Sequence, residues 1–206
     1  MSQIEQLKQY FFLKVQEYLT ERFGSENGNT LNSNFQKHFK DLYLKNEYLI
    51  PDFESKRHAL NPIFVMALHK SFQEKKITLE ELEQHVMGVY EKIMEVMIQP
   101  QVSTYEKIPN PWTNFVETSV EGTKQTYSED EFQVEFLQAD EGILAFDIHK
   151  CFYFEIFQKN NMPELGPIQC SFDIVMANPL ERWIRFERKK TIADGDDCCT
   201  FRYYPK

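Results

Sequence analysis

Apolar residues recur at helical spacing through the first hundred positions and at every second position beyond residue 130, so the chain divides into two regimes. Ile4, Leu7, Phe11, Val15 and Tyr18 or Leu19 keep a three- and four-residue rhythm that stops near Gly24. Ser25 to Asn34, rich in Gly, Asn and Ser, predicts a loop, and a second helix follows from Asn34 to Lys45 with Phe35, Phe39, Leu42 and Tyr43 on one side. Pro51 and Pro62 bound a connector, with Pro62 suited to the first position of the next helix. Thr78-Leu79-Glu80-Glu81 is a capping-box pattern. The helix behind it turns Leu79, Leu82, Val86, Val89, Ile93 and Val96 or Met97 inward and ends at Pro100.

Pro109-Asn110-Pro111 marks the change of regime. Phe132, Val134 and Phe136 then alternate with Glu131, Gln133 and Glu135, Asp140-Glu141-Gly142 forms a turn, and Ile143 to Cys151 returns as the second strand of a hairpin. Short helices are predicted over Tyr153 to Lys159 and Pro167 to Ala177, and strands over Trp183 to Lys189 and Cys199 to Tyr204 with Gly195 in the turn between them. The expected fold is α+β: residues 1–108 form a helical N-terminal part. Residues 109–206 form an antiparallel sheet decorated with short helices, and both are read as parts of one integrated domain.

Composition narrows the function. The net charge of −9 argues against a nucleic-acid surface, which needs a basic footprint. The apolar segments are too short to span a membrane, and the start of the chain mixes Glu and Lys with aromatics where a secretion signal would be apolar. A cytoplasmic setting is therefore expected, in which the 4 cysteines stay reduced. There is no phosphate-binding loop, dinucleotide fingerprint or G-x-S-x-G elbow.

Candidate chemistry lies in the last third of the chain. On the strand ending at Cys151, alternation puts Asp147, His149 and Cys151 on one face, about 6.6–7 Å apart from neighbour to neighbour, and that face turns either to solvent or to a pocket. Cys170 and Asp173 share one side of a helix, with Cys170 close to its first turn, where the dipole and free N–H groups favour thiolate. The aspartate opposes that effect by like-charge repulsion. Cys198 and Cys199 point to opposite faces of a strand, so at most one joins a pocket, and Cys199, Phe201 and Tyr203 share a face. Arg185, Arg188, Lys189, Lys190 and Arg57 are candidate grips for a carboxylate. Metal-ligand spacings are missing, so a zinc site ranks below thiol chemistry.

These C-terminal segments, Cys151, Cys170-Ser171-Phe172-Asp173, Phe186-Glu187-Arg188 and Gly195 to Phe201, resemble the L-2-amino-thiazoline-4-carboxylic acid hydrolase family. Phe152 and Lys189 stand where that pattern has proline and threonine. The resemblance implies opening of a small cyclic amidine-like ring that carries a carboxylate. Cys170, Asp173, Cys151, His149 and Cys199 are then the expected catalytic group, and Arg188, Lys190 and Thr191 the substrate-binding group. No metal or cofactor is expected, the partner is a small-molecule carboxylate, and a homodimer is the candidate assembly. A different class is also open: a small-molecule-binding domain of the vinyl-reductase type, a sensor or carrier whose cysteines merely line the pocket.

Overall fold

The computed structural model describes residues 1–206, with element order α1 (Gln3–Lys45), α2 (Phe53–Ser71), α3 (Leu79–Tyr105), α4 (Pro111–Thr126), β1 (Phe132–Ala139), β2 (Leu144–Cys151), α5 (Phe152–Lys159), α6 (Gly166–Ala177), β3 (Ile184–Glu187) and β4 (Cys199–Pro205). The fold is α+β, with six helices and one four-stranded antiparallel sheet of order β1-β2-β4-β3. Two compact units divide the chain: residues 1–94 with 153–172, and residues 95–152 with 173–206.

In the first unit, α1 is two helical arms joined at a single residue, Gly24, whose φ of 76° is open to glycine at little cost. The arms fold back on each other, with Phe12 edge-on to Phe35 and Phe39 at 5.9 and 5.0 Å. At Gly28 the backbones touch: a Cβ there would stand 2.6 Å from the Leu19 carbonyl oxygen. The loop expected over Ser25 to Asn34 is therefore helix. One positive-φ residue suffices for the reversal, and Gly28, Leu31 and Asn32 are buried.

The connector expected between Pro51 and Pro62 is also mostly helix. Asp52 accepts from the Ser55 N–H at 2.8 Å while the Ser55 hydroxyl oxygen accepts from the Asp52 N–H at 3.2 Å, so α2 starts nine residues before Pro62. Pro62 is interior, held by the burial of Ala59, Leu60, Ile63 and Phe64 around it. The capping box of α3 forms as the sequence predicts: Thr78 N–H donates to Glu81 Oε2 at 2.7 Å and Glu81 N–H to the Thr78 hydroxyl at 3.1 Å. Leu82, Val86, Val89 and Ile93 are buried, but Leu79, Val96 and Met97 are exposed. Nor does Pro100 end the helix. In the second unit α3 continues to Tyr105, which is buried edge-on against Trp183 at 5.8 Å.

The second unit adds α4, which the alternation reading misses. Asn110 caps it, Pro111 takes its first position, and Trp112 and Phe115 are its buried residues. The sheet follows the predicted strands within a residue or two. Phe136, Phe146 and Phe201 form one cross-strand row, and Phe186 pairs with Tyr203. Two register shifts interrupt the β1–β2 ladder, one with the extra residue His149 on β2 and one with Leu137 on the edge strand β1.

Candidate active site

The alternation Phe186-x-Arg188 on one strand and Cys199-x-Phe201-x-Tyr203 on its neighbour sends all five side chains to one face of the sheet. Phe146 lies parallel to Phe201 at 4.9 Å, Phe186 to Tyr203 at 4.8 Å, and Phe136 meets Phe146 at 5.5 Å. From α4, Phe115 packs on Tyr203 at 5.1 Å. The result is a continuous aromatic floor. Phe146 and Phe201 are buried, whereas Phe136, Phe186 and Tyr203 keep part of their surface accessible.

Over this floor the second half of α6 carries Asp173, which accepts a hydrogen bond and ion pair from Nη1 of Arg188. The Arg188 guanidinium stands 5.9 Å above the Phe201 ring. Of the Arg188 side chain 12% is accessible, and of Asp173 26%. Burial nevertheless dominates the aspartate, pushing its carboxyl up to about 6 against the lowering effect of Arg188. Asp173 therefore keeps some accessible surface while most of its surroundings are protein. The Tyr203 phenol is pushed well above its ordinary value by burial and by Asp173 and Tyr127, with Arg188 pulling the other way. It stays protonated at any physiological pH.

Cys199 belongs to the same group. Its Sγ accepts from the Ile192 N–H at 3.2 Å, and burial pushes the thiol up despite that bond and Arg188. It is a thiol, not a thiolate. Thus the structure brings together Asp173, Arg188 and Cys199 among the residues singled out by sequence.

The others lie elsewhere. His149 is exposed on the opposite face of β2 and meets Glu135 Oε2 at 3.1 Å. Cys151, half-buried, ends β2 opposite Phe132. Cys170 is half-buried on α6, one turn before Asp173, and falls in the first unit. Lys190 is exposed and paired with Asp197 at 3.1 Å. Thr191 is buried, and its hydroxyl donates to Asp194 Oδ2 and accepts the Asp194 N–H, which fixes the turn before β4. All four cysteines are free thiols, and no three acidic, histidine or cysteine groups converge in a metal-binding arrangement. Sequence reasoning passed over Phe146, Phe186 and Tyr203 as site residues. The shared-face alternation was the signal that could have found them.

Comparison with known proteins adds to this geometry. No curated protein matches the chain in sequence. Among solved structures, the H-NOX domain of Shewanella oneidensis in its Fe(II)CO ligation state is similar at 10% identity, covering 96% of this chain and 97% of that one, with a TM-score of 0.44. An H-NOX protein of S. oneidensis in the Fe(II)NO state is similar at 10% identity, covering 96% and 98%, with a TM-score of 0.42. A sequence-family profile, L-2-amino-thiazoline-4-carboxylic acid hydrolase, matches residues 61–203, which include β1 to β3, most of β4 and the whole aspartate–arginine site. That match spans more than half of the chain, and the protein belongs to the L-2-amino-thiazoline-4-carboxylic acid hydrolase family.

Proposed function

We propose that the protein is a hydrolase that opens a small five-membered cyclic amidine bearing a carboxylate, of the 2-amino-thiazoline-4-carboxylate kind. The observation that carries this reading is the Asp173–Arg188 pair set against an aromatic floor. A planar ring stacks on the accessible edges of Phe186 and Tyr203. Arg188, whose side chain is 12% accessible, holds the carboxylate, and a guanidinium is suited to that grip. Asp173, with a carboxyl that titrates near neutrality, manages the proton on the ring amidine.

The chemistry balances with water alone. The water oxygen bonds to the ring carbon between sulfur and nitrogen, and the carbon–sulfur bond breaks. One water proton ends on sulfur and the other on the carbamoyl nitrogen. Protonation of the amidine makes the ring carbon electrophilic enough for attack. Water is the nucleophile in this scheme, because Cys170 falls in the first unit and the Asp173–Arg188 pair in the second. Cys199 lines the site as a neutral thiol, and His149, on the opposite face of β2 with Glu135, has no part in it. Lys190 and Thr191 are engaged with Asp197 and Asp194, which leaves the carboxylate to Arg188.

The test is mass-spectrometric detection of ring-opened product after incubation with L-2-amino-thiazoline-4-carboxylate. Wild type should yield the carbamoyl thiol, Asp173→Asn should not, and Cys170→Ala separates thiol attack from direct attack by water. Absence of product from the wild type would refute this substrate. It would favour a non-catalytic binding domain, a reading with which the raised Cys199 thiol also agrees.

A further inference from the structure

Arg188 is the cation beside Asp173, and the two already neutralise each other. A ligand carboxylate that takes Arg188 therefore competes with the aspartate for one guanidinium whose side chain is only 12% accessible, where two anions beside one cation are disfavoured. The other groups facing Asp173 offer no compensation. Tyr203 and Cys199, both from β4, are held in their neutral forms, and Tyr127, beyond the end of α4, faces the Tyr203 phenol. The remaining way to restore neutrality is a proton.

We infer that a carboxylate bound at Arg188 and a proton held by Asp173 arrive together, so that the site selects ligands carrying one negative charge and one transferable proton. This rests on the hydrolase reading of the same recess and fixes what the ligand must bring. A cyclic amidinium carboxylate carries the proton on its own ring nitrogen, where it is shared with Asp173. A plain anion of the same size draws the proton from solvent. In both complexes the charges of Asp173, Arg188 and the ligand sum to zero, and no counter-ion is left over. The pair thus acts as a charge filter that favours zwitterions over simple carboxylates as pH rises.

The experiment is calorimetric titration of the full chain at pH 7.5, in phosphate and in Tris buffer, whose ionisation enthalpies differ. Two probes are used: thiophene-2-carboxylate, a flat five-membered ring with no basic atom, and 2-amino-imidazoline-4-carboxylate, whose ring keeps its proton. The expected result is uptake of close to one proton with the thiophene acid and close to none with the imidazoline. Above the point where free Asp173 ionises, affinity for the thiophene acid should fall about tenfold per pH unit, since one proton is bound per ligand. The Asp173→Asn variant, neutral at every pH, should bind the thiophene acid with no proton uptake and no such pH dependence. Binding of the thiophene acid by the wild type without proton uptake would overturn this inference and leave the hydrolase reading standing. Failure of both probes to bind, with Arg188→Ala indistinguishable from wild type, would overturn the two together.

Discussion

Replacing Asp173 by Asn should make the protein more stable at pH 8 while removing its activity, and the reason lies in the same recess. Two arguments compete. Removing one partner of a buried ion pair ordinarily costs about 3–5 kcal/mol, because the other charge is left uncompensated. Against this, burial raises the Asp173 carboxyl from 3.8 to about 6 even with Arg188 beside it, so the folded state disfavours the ionised acid despite the pair. Linkage decides between them. A folded carboxyl of raised pKa binds its proton more tightly than the unfolded chain does, so stability falls as pH rises from about 3.8 to about 6 and stays low above that. At about 1.4 kcal/mol per pH unit, the full loss is about 3 kcal/mol, of which about 2 kcal/mol develops between pH 4.5 and pH 8. Asparagine mimics the neutral acid and escapes that loss. Any cost of the missing charge on Arg188 is common to asparagine and to the protonated acid, so it cancels when the two pH values are compared.

Urea unfolding of wild type and Asp173→Asn at pH 4.5 and pH 8 reads the difference. Relative to wild type, the variant should gain about 2 kcal/mol on going to pH 8, or roughly 4–8 °C in melting temperature for a chain of this size. A stability difference that stayed the same at both pH values, or moved the other way, would show that Asp173 is not held above its ordinary pKa, and the account of the recess would fall with it.

Other outcomes follow from the same geometry. In wild type, kcat/KM for a cyclic amidine carboxylate should show no downward break at pH about 6, since the substrate brings the proton on its own ring, and should fall only where that ring loses its proton; a slope of −1 starting at pH about 6 would show that Asp173 has to supply it. Arg188→Lys keeps the charge but loses the planar fork, so KM should rise roughly tenfold to a hundredfold with a smaller change in kcat, whereas equal kinetics would remove Arg188 from carboxylate binding. Alkylation of Cys199 by iodoacetamide at pH 7 should run well below the rate of a free thiol and recover only as the protein unfolds, followed by peptide mass mapping. Gly28→Ala should destabilise by about 1–3 kcal/mol because the new Cβ meets Leu19 and Thr20 backbone at 2.6 Å, and a melting temperature equal to wild type would refute the close crossing of the α1 arms.

Most of the fold could be read from the sequence where a local signal coincided with a buried face. Thr78 and Glu81 announced α3, and the alternation around Phe132–Phe136 and Leu144–Phe146 announced the hairpin. The misreadings share one cause: proline and glycine were given more authority than packing. Pro62 sits inside a helix because the buried residues around it offset the lost hydrogen bond, Pro100 sits inside one on a mostly exposed stretch with Ile98 and Tyr105 as its buried anchors, and Gly24 reverses α1 in one residue where a ten-residue loop was expected. The site was legible in part. Arg188 and Asp173 were each chosen from their chemistry, but their union depends on α6 reaching the sheet, which no periodicity encodes. His149 illustrates the converse: alternation placed it correctly on its face and left open which face met water, and it pairs with Glu135 in the open.

The bulge at Leu137 in β1 reaches beyond local geometry. An outermost strand offers a row of unpaired amides to any other extended chain, and β1 also exposes Leu137 on that border. Leu137, the one residue that β1 carries in excess of its partner, breaks the two-residue repeat that a visiting strand would need to stay in step for more than a few positions. At the opposite border β3 is only four residues long and exposes Arg185. Neither border can serve as a template for extending the sheet, so growth into fibrils or strand-swapped aggregates is blocked at both ends, and straightening β1 by deleting Leu137 would be expected to release it.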